Sequence, residues 1–204
     1  LNDIKSFWDI DIEGFLFAGI KDVISKNFLS ILKIPSSYKY INTGSLLINL
    51  KKYKSENLKD KILNLMETLQ TDLPHFDQGI INKLFYKDFK IIQPKFNFIT
   101  PFFLLNSNNL SKIYNIEGFY TDEEIIKSKN EIVVAHLTQS FLTRPWVKNS
   151  THPLTRHFLD TLESTPFKNV ELKEDSRVLK VKIISVFYKA LPNLLFVKLV
   201  KLLT

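Results

Sequence analysis

Two kinds of segment alternate along the chain. Short continuous apolar runs at 15–20, 45–50 and 132–136 have the length of buried strands. Longer polar segments at 51–69, 76–86 and 122–129 carry apolar residues at helical spacing or acidic residues near their start, which predicts helices. Residues 1–14 are expected to form a helix or turn, 27–37 irregular structure and 90–98 an extended segment. Strands that alternate with helices favour an α/β sheet.

The positive charge of the chain is concentrated near its C-terminal end. The 204 residues include 28 Lys and Arg against 21 Asp and Glu, which gives a net charge of +7. Eight basic and three acidic residues lie at 165–204, so five of the seven net charges belong to this tail. A nucleic-acid-binding domain would spread or stripe its charge across the fold, so the distribution argues against a nucleic-acid partner.

Missing residue types and motifs argue against several other classes of protein. The chain contains no Cys, which excludes a disulfide framework, a thiolate metal site and a Cys nucleophile. The sequence also lacks the Gly-x-Ser-x-Gly of serine hydrolases, a Gly-rich phosphate loop with Lys, and the Gly-x-Gly-x-x-Gly of dinucleotide enzymes.

Two polar residues stand at the ends of apolar runs. Asp22 follows the run at 15–20, and His136 ends the run at 132–136. Open α/β sheets bind ligands at the edge where their strands end, so these residues predict a site there. An imidazole suits Mn²⁺, Zn²⁺ or acid–base chemistry, but the position of His136 taken alone favours an ordinary hydrogen-bonded histidine.

Three further groups each allow two interpretations. Asp77 and Gln78 offer a carboxylate and an amide to a polyhydroxylated ligand, but an Asp at a helix start is also a common cap. Asn42 precedes Gly44, where the backbone could approach a ligand closely or simply turn into a strand. Arg144 suits phosphate oxygens, or it is a loop residue beside a packing Trp.

Taken in order, these groups form a series that points to one family. The chain contains Phe-Trp at 7–8, Tyr-Ile-Asn-Thr-Gly-Ser-Leu-Leu-Ile-Asn-Leu-Lys-Lys-Tyr at 40–53, Phe-Asp-Gln-Gly-Ile-Ile-Asn at 76–82, and His136 with Arg-Pro-Trp at 144–146. This series, which covers about 1–146, resembles glycosyltransferase family 8. The family comprises retaining, nucleotide-sugar-dependent enzymes of the GT-A fold, among them glycogenin-like proteins and bacterial lipopolysaccharide galactosyl- and glucosyltransferases.

The resemblance implies a hexosyltransferase. Such an enzyme moves glucose or galactose from a UDP-sugar to a saccharide or glycolipid acceptor with retention, as in the synthesis of lipopolysaccharide or another surface glycan. Asn42, Asp77 and Gln78 would surround the donor sugar, and Asp22 would lie on the acceptor side. A neutral amide such as Gln78 is a poor nucleophile, which favours front-face attack by the acceptor, with Asp77 as the alternative nucleophile.

The resemblance also implies a divalent metal, Mn²⁺ or Mg²⁺, and a site for the diphosphate. His136 would be a metal ligand, while Arg144 and Gln139 would lie at the diphosphate, where the family has Lys and Gly. The acidic Asp-x-Asp motif of the family precedes the segment that matches residues 1–8. The GT-A domain is therefore expected to be N-terminally incomplete, and the 204 residues alone are expected to be inactive.

These interpretations predict an α/β fold with the mixed sheet of GT-A nucleotide-diphospho-sugar transferases and a helical C-terminal tail. The partial transferase domain would occupy 1–164 and the basic amphipathic tail 165–204. Residues 191–204 leave only a narrow face with Lys198 and Lys201, so they predict either an interfacial membrane helix or a helix packed on the domain or in a dimer.

Bacterial members of the family carry such tails for the membrane. This favours a cytoplasmic protein held peripherally on the inner face of the membrane. The alternative function is a non-catalytic carbohydrate- or membrane-associated module with a degenerate GT-A fold.

Overall fold

The structure is a computed structural model that describes residues 1–69 and 73–203. Its elements in chain order are α1 (Lys5–Trp8), β1 (Phe17–Lys21), α2 (Lys26–Leu32), β2 (Ile41–Ile48), α3 (Leu50–Ser55), α4 (Leu58–Thr68), α5 (Asp77–Phe85), β3 (Phe89–Ile91), β4 (Phe98–Ile99), α6 (Thr100–Leu104), α7 (Ser107–Tyr114), α8 (Asp122–Asn130), β5 (Ala135–His136), α9 (Thr155–Glu163), α10 (Leu179–Ala190) and α11 (Asn193–Leu203). A 3₁₀ turn at Pro94–Asn97 precedes β4.

The chain divides into two compact units. The first unit comprises Leu1–Phe98 and Asn106–His136, and the second unit comprises Ile99–Leu105 and Leu137–Thr204. The strands β1, β2, β3 and β5 therefore belong to the first unit, whereas the second unit is mainly helical.

A mixed three-stranded sheet in the order β2-β1-β3 forms the centre of the first unit. Strand β1 runs antiparallel to β2, with Lys21 opposite Ile41, and parallel to β3, with Phe17 opposite Phe89. The four residues Phe17–Ile20 are all buried. A continuous apolar run is what a central strand covered on both faces requires, so the predicted strand at 15–20 is confirmed.

Two helices pack on this sheet and set the position of the site. Leu58 at the start of α4 and Phe85 at the end of α5 join Leu16, Phe17 and Ile41 in one buried cluster. The Phe17 ring lies 5.6 Å from that of Phe85. Because α5 is held against the central strand at its C-terminal end, its N-terminal residues have a defined place relative to β1 and β2.

Several predicted boundaries were wrong, each for a local reason. The helix expected at 51–69 is two helices, α3 and α4, because Asn57 between them has a φ of +50°. The segment expected to be irregular at 27–37 contains α2, whose first turn is capped by the Ser25 side chain. The segment at 90–98 is extended only at its two ends, because Pro94 begins the 3₁₀ turn between β3 and β4.

Strand β2 also begins earlier than its apolar run. Antiparallel pairing with β1 starts at Ile41, so Asn42 and Gly44 lie within the strand rather than in a turn that leads to it. The third predicted strand is shorter than expected, since only Ala135 and His136 of the run at 132–136 are extended in β5.

The C-terminal region is helical, as the sequence predicts. Helix α11 packs within the second unit through Phe196, whose ring lies 5.1 Å from Phe141 and 5.3 Å from Tyr188. Residues 165–204 share this unit with residues 137–164. In the part of the chain that the structure describes, no helix is long and apolar enough to cross a bilayer.

Candidate active site

Three of the predicted site residues meet at the end of the central strand. Asp22 directly follows β1, and its Oδ2 accepts hydrogen bonds from Asn42 Nδ2 on β2 at 3.0 Å and from Gln78 Nε2 on α5 at 2.8 Å. Its Oδ1 accepts a 2.7 Å bond from the backbone N–H of Val23. One carboxylate therefore connects two amide side chains that are 36 residues apart in sequence.

The amide of Gln78 is held at both of its ends. Its Oε1 accepts a 3.0 Å hydrogen bond from the Thr43 N–H, while Nε2 donates to Asp22. One turn later Asn82, which is fully buried, accepts from the Ile41 N–H and donates to the carbonyls of Ile41 and Gln78. Asn82 thus joins α5 to β2, and it holds the first turn of α5 where Gln78 can reach Asp22.

The turn that leads into α5 is tight and strained. His75 and Phe76 have φ values of +60° and +48°, which side chains other than Gly seldom adopt. A Cβ on Gly79 would lie 2.2 Å from the Pro74 carbonyl oxygen, so only Gly fits there. This conformation starts the helix at Asp77, which is exposed, and no side-chain cap is formed at the helix N-terminus.

His136 joins the same network through a residue that the sequence analysis did not identify. Asn97 donates from Nδ2 to Asn42 Oδ1 at 2.8 Å, and its Oδ1 lies 3.1 Å from His136 Nδ1. The Gly44 N–H also donates to Asn42 Oδ1, at 2.9 Å. A Cβ on Gly44 would lie 2.1 Å from His136 Cε1, so the absence of a side chain at Gly44 makes room for the imidazole.

A signal for Asn97 is present in the sequence. Asn97 stands between Phe96 and Phe98 in an apolar stretch, and the structure buries it completely. A buried amide needs hydrogen-bond partners, so an Asn inside an apolar stretch marks a polar connection within the fold. Its partners could not be named from the sequence because they lie 55 and 39 residues away.

A buried tyrosine holds the end of β1 beside Asp22. The Tyr120 hydroxyl accepts a 2.9 Å bond from the Lys21 N–H and donates to the Ile92 carbonyl at 2.6 Å. Burial raises the pKa of Tyr120, so the hydroxyl keeps its proton at neutral pH. A small cavity of about 30 Å³ borders Asp22 on the side of Tyr38 and Tyr40.

The two residues predicted for the diphosphate lie in the second unit. Arg144 and Gln139 are both exposed and line one cavity of about 330 Å³, together with Trp146, Lys173 and Arg177. The Arg144 guanidinium stands 5.4 Å from the centre of the Trp146 ring, which is a cation–π contact. Arg144 is therefore both a loop residue beside a Trp and a cation on a cavity wall.

The described residues do not form a complete metal site. No group of three or more His, Asp or Glu side chains is close enough to hold an ion within residues 1–69 and 73–203. His136 is the single ligand that the sequence analysis assigned, and one imidazole is fewer than the three or four protein ligands of typical transition-metal sites.

A second histidine, His152, is 3% exposed in the second unit. It lies between the Leu154 N–H and the Thr100 hydroxyl, and burial lowers its pKa to about 4.

Comparisons with known proteins identify the family to which the chain belongs. The family model described as Glycosyl transferase family 8 matches residues 1–136, which is two thirds of the chain. General stress protein A of Bacillus subtilis is 20% identical over 172 residues, covering 83% of this chain and 57% of that protein. The lipopolysaccharide 1,2-glucosyltransferase of Escherichia coli K12 is 23% identical over 185 residues, covering 88% and 51%.

Solved structures show the same fold. A structure of the galactosyltransferase LgtC in complex with donor and acceptor sugar analogues matches with a TM-score of 0.61 and 20% identity, over 81% of this chain and 58% of that one. The bifunctional glycosyltransferase WbbM matches with a TM-score of 0.63 and 15% identity, over 81% and 31%. The chain spans about half the length of the curated relatives that it matches.

The contact between Gly44 and His136 predicts the effect of a single methyl group. In Gly44→Ala the new Cβ displaces the imidazole and lengthens its bond to Asn97, so the ring resonances of His136 shift in an NMR spectrum while the melting temperature changes by only a few degrees. Ser45→Ala, the next residue of the same strand on its opposite face, is the matched control. Unchanged His136 resonances in Gly44→Ala would show that the ring does not occupy this place.

Proposed function

The chain belongs to glycosyl transferase family 8, and we propose that it moves a hexose, glucose or galactose, from a UDP-sugar to a saccharide or glycolipid acceptor. We further propose that the transfer retains the anomeric configuration and serves the synthesis of lipopolysaccharide or another surface glycan. The observation that carries the proposal is the Asp22-centred network, which holds Asn42 and Gln78 in fixed orientations next to the exposed carboxylate of Asp77.

The groups in this network suit a sugar. Hexose hydroxyls both donate and accept hydrogen bonds, so a site for them needs fixed acceptors and donors together. Asp77 supplies carboxylate oxygens at the N-terminal end of α5, and Asn42 and Gln78 supply amides that are already oriented by Asp22. Pre-oriented groups lose little conformational entropy when a ligand binds, which favours recognition of one sugar orientation.

The same groups favour a front-face reaction. In this reaction the acceptor oxygen bonds to the anomeric carbon while the bond from that carbon to the UDP oxygen breaks. The electron pair of the broken bond leaves with UDP, and the acceptor proton passes to the departing phosphate oxygen on the same face. Gln78 is neutral, and both ends of its amide are already hydrogen-bonded, so it positions the sugar and does not attack it. Asp77 is the alternative nucleophile.

The acceptor and the diphosphate are assigned to different residues. We propose that the acceptor lies on the side of Asp22, at the cavity that Tyr38 and Tyr40 line. Arg144 and Gln139 would contact the diphosphate from the cavity of the second unit, where Arg144 supplies positive charge for the phosphate oxygens. Family members use a divalent ion, Mn²⁺ or Mg²⁺, to neutralise the diphosphate, and His136 is the residue we propose as its ligand.

The outward face of α11 supports membrane contact. Phe196, Val197 and Val200 are buried within the second unit, while Leu194, Leu195 and Leu202 are 62%, 50% and 85% exposed. Lys198 and Lys201 share the exposed face. One face of the helix is therefore packed, and the other combines apolar and basic groups as interfacial helices do. We propose that this face holds the protein peripherally at the cytoplasmic side of the membrane. Thr204, the last residue of the predicted segment, lies outside the described residues.

Asp77 provides the test of the sugar site. We expect UDP-glucose or UDP-galactose to bind the chain in isothermal titration calorimetry, and Asp77→Ala to weaken that binding at least about tenfold, since hydrogen bonds to a charged group contribute roughly 1.5–3 kcal/mol. Asp60→Ala removes an exposed acid from the first turn of α4, so it is the matched control and leaves the affinity unchanged. Equal affinities for wild type and Asp77→Ala would show that Asp77 serves only as an acidic residue at the start of the helix. If the wild type binds neither donor, the proposed hexose site is refuted.

Transfer itself provides a separate test. When the 204-residue chain is given Mn²⁺, UDP-glucose or UDP-galactose and a panel of saccharide acceptors, we expect no glycoside product, because His136 is the one proposed metal ligand in the described residues. Detection of product by mass spectrometry would disprove the expected inactivity and would demonstrate the proposed hexosyltransferase directly.

Membrane contact is tested by flotation with vesicles that contain anionic lipid. We expect the chain to float with them, and Leu194→Ser with Leu202→Ser to reduce binding at least about tenfold, since burial of one Leu contributes roughly 1.5–3 kcal/mol. Substitution is preferable to deletion because α11 also buries Phe196 and Val200. Leu63→Ser, an exposed Leu of α4, is the control. Equal flotation of the double variant and wild type would remove the membrane proposal.

A further inference from the structure

A continuous series of side-chain hydrogen bonds connects Asp22 to His136. Asp22 determines which group donates and which accepts in each of these bonds. A carboxylate only accepts hydrogen bonds, so the group that Asn42 turns towards Asp22 is its NH₂. Its carbonyl oxygen therefore faces the other way, towards Gly44. The Gly44 N–H, which can only donate, meets this oxygen at 2.9 Å and confirms the orientation independently.

The orientation of the Asn42 amide determines the orientation of the Asn97 amide. Two amide oxygens facing each other would repel, so Asn97 must turn its NH₂ towards Asn42 Oδ1, and the 2.8 Å contact is then a normal hydrogen bond. The carbonyl oxygen of Asn97 consequently faces His136 Nδ1 at 3.1 Å. Because Asn97 is fully buried and Asn42 is 6% exposed, water does not readily exchange for either partner.

We propose that Asn97 is a positioning residue that fixes the tautomer of His136, with the proton on Nδ1 and the electron pair on Nε2. The orientation of the Asn97 amide is set in turn, through Asn42, by Asp22 and the Gly44 N–H. The oxygen of Asn97 cannot donate, so a neutral His136 that keeps this bond must donate from Nδ1. The neutral imidazole of a histidine in water prefers its proton on Nε2. The network therefore selects the form that an isolated side chain populates less.

The tautomer determines what His136 can bind. With the proton on Nδ1, Nε2 can bind a cation or accept a hydrogen bond, but it cannot donate one. Histidines that bind a metal through one ring nitrogen almost always donate the N–H of the other to a carboxylate, a carbonyl oxygen or water. The use of this electron pair at a nucleotide-sugar diphosphate rests on the proposed function, whereas the tautomer follows from the hydrogen bonds alone.

The same chain contains a histidine that should have the opposite tautomer. In the second unit the backbone N–H of Leu154 donates to His152 Nδ1 at 3.1 Å, so that nitrogen carries no proton. His152 therefore holds its proton on Nε2, beside the Thr100 hydroxyl at 3.3 Å. Burial lowers the pKa of His152 to about 4, so it is neutral at any pH suited to the experiment.

Nitrogen-15 NMR of the histidine rings tests the proposal. The 204-residue chain has four histidines, and His136→Gln identifies the resonances of His136 by their loss. At about pH 8 and without metal, we expect His136 to show a protonated Nδ1 and an unprotonated Nε2, and His152 to show the reverse. Since a protonated and an unprotonated ring nitrogen differ widely in chemical shift, the two patterns are distinguished in one spectrum.

Two substitutions at Asn97 separate positioning from packing. Asn97→Leu has a similar volume but no acceptor, so His136 should move to the Nε2–H tautomer. Asn97→Asp keeps an oxygen towards His136, so Nδ1 should keep its proton, while the second carboxylate oxygen faces Asn42 Oδ1 and removes only the bond to Asn42. A residue needed only for packing would affect neither pattern. Asn64→Leu on the exposed face of α4 is the matched control, and the His152 pattern reports in every variant whether the second unit is folded.

The outcomes are distinct from those of the sugar-binding test. A protonated Nε2 on His136 in the wild type, or an unchanged Nδ1–H pattern in Asn97→Leu with native backbone amide resonances, would overturn the proposal. If Asn97→Leu does not fold, the wild-type spectrum still tests the proposal, because a protonated Nε2 on neutral His136 would overturn it. Because these spectra are recorded without donor or metal, absence of UDP-hexose binding would refute the proposed function and leave the tautomer assignment standing.

Discussion

The carboxylate of Asp22 is the interaction on which the site depends. It stands at the end of the central strand, and its Oδ2 accepts from one amide on β2 and from another on α5. Hydrogen bonds to a charged acceptor contribute roughly 1.5–3 kcal/mol each, and loss of the acceptor would leave two inward-facing NH₂ groups unpaired. This one charge sets the orientations of the Asn42 and Gln78 amides. The Asn42 amide in turn orients Asn97, and Asn97 orients His136. The Tyr120 hydroxyl and Asn82 secure the strand end and the helix that make the arrangement possible.

Much of the site could be predicted from the sequence because its residues follow features that a linear pattern shows. Asp22 and His136 end apolar runs, and Asp77 and Gln78 begin a helix. What the sequence could not show depends on contacts between distant segments. Strand β2 begins at Ile41 because that residue pairs with Lys21, and Asn97 belongs to the site because the 3₁₀ turn brings it between Asn42 and His136. The break at Asn57 and the cap at Ser25 are local, but Asn and Ser also occur in uninterrupted segments, so neither residue alone predicts them.

The two units differ in the chemistry of their side chains. The first unit contributes amides, a carboxylate and an imidazole whose orientations are set by buried hydrogen bonds, which suits discrimination among neutral sugars. The second unit contributes Arg144, Lys173 and Arg177 on one cavity wall and a helix with separate packed and exposed faces. These features suit phosphate and a lipid surface, where charge matters more than the orientation of single hydrogen bonds. The match to glycosyl transferase family 8 covers residues 1–136, which include all of the Asp22 network.

The most direct measurement is a titration of UDP-glucose and UDP-galactose into the chain, observed through the side-chain NH₂ resonances of Asn and Gln. We expect the resonances of Asn42 and Gln78 to move together with increasing donor, because both amides share Asp22, while that of the exposed Asn64 stays in place. If the donors bind and the resonances of Asn42 and Gln78 remain unmoved, the sugar is held elsewhere and the Asp22 network serves only the fold.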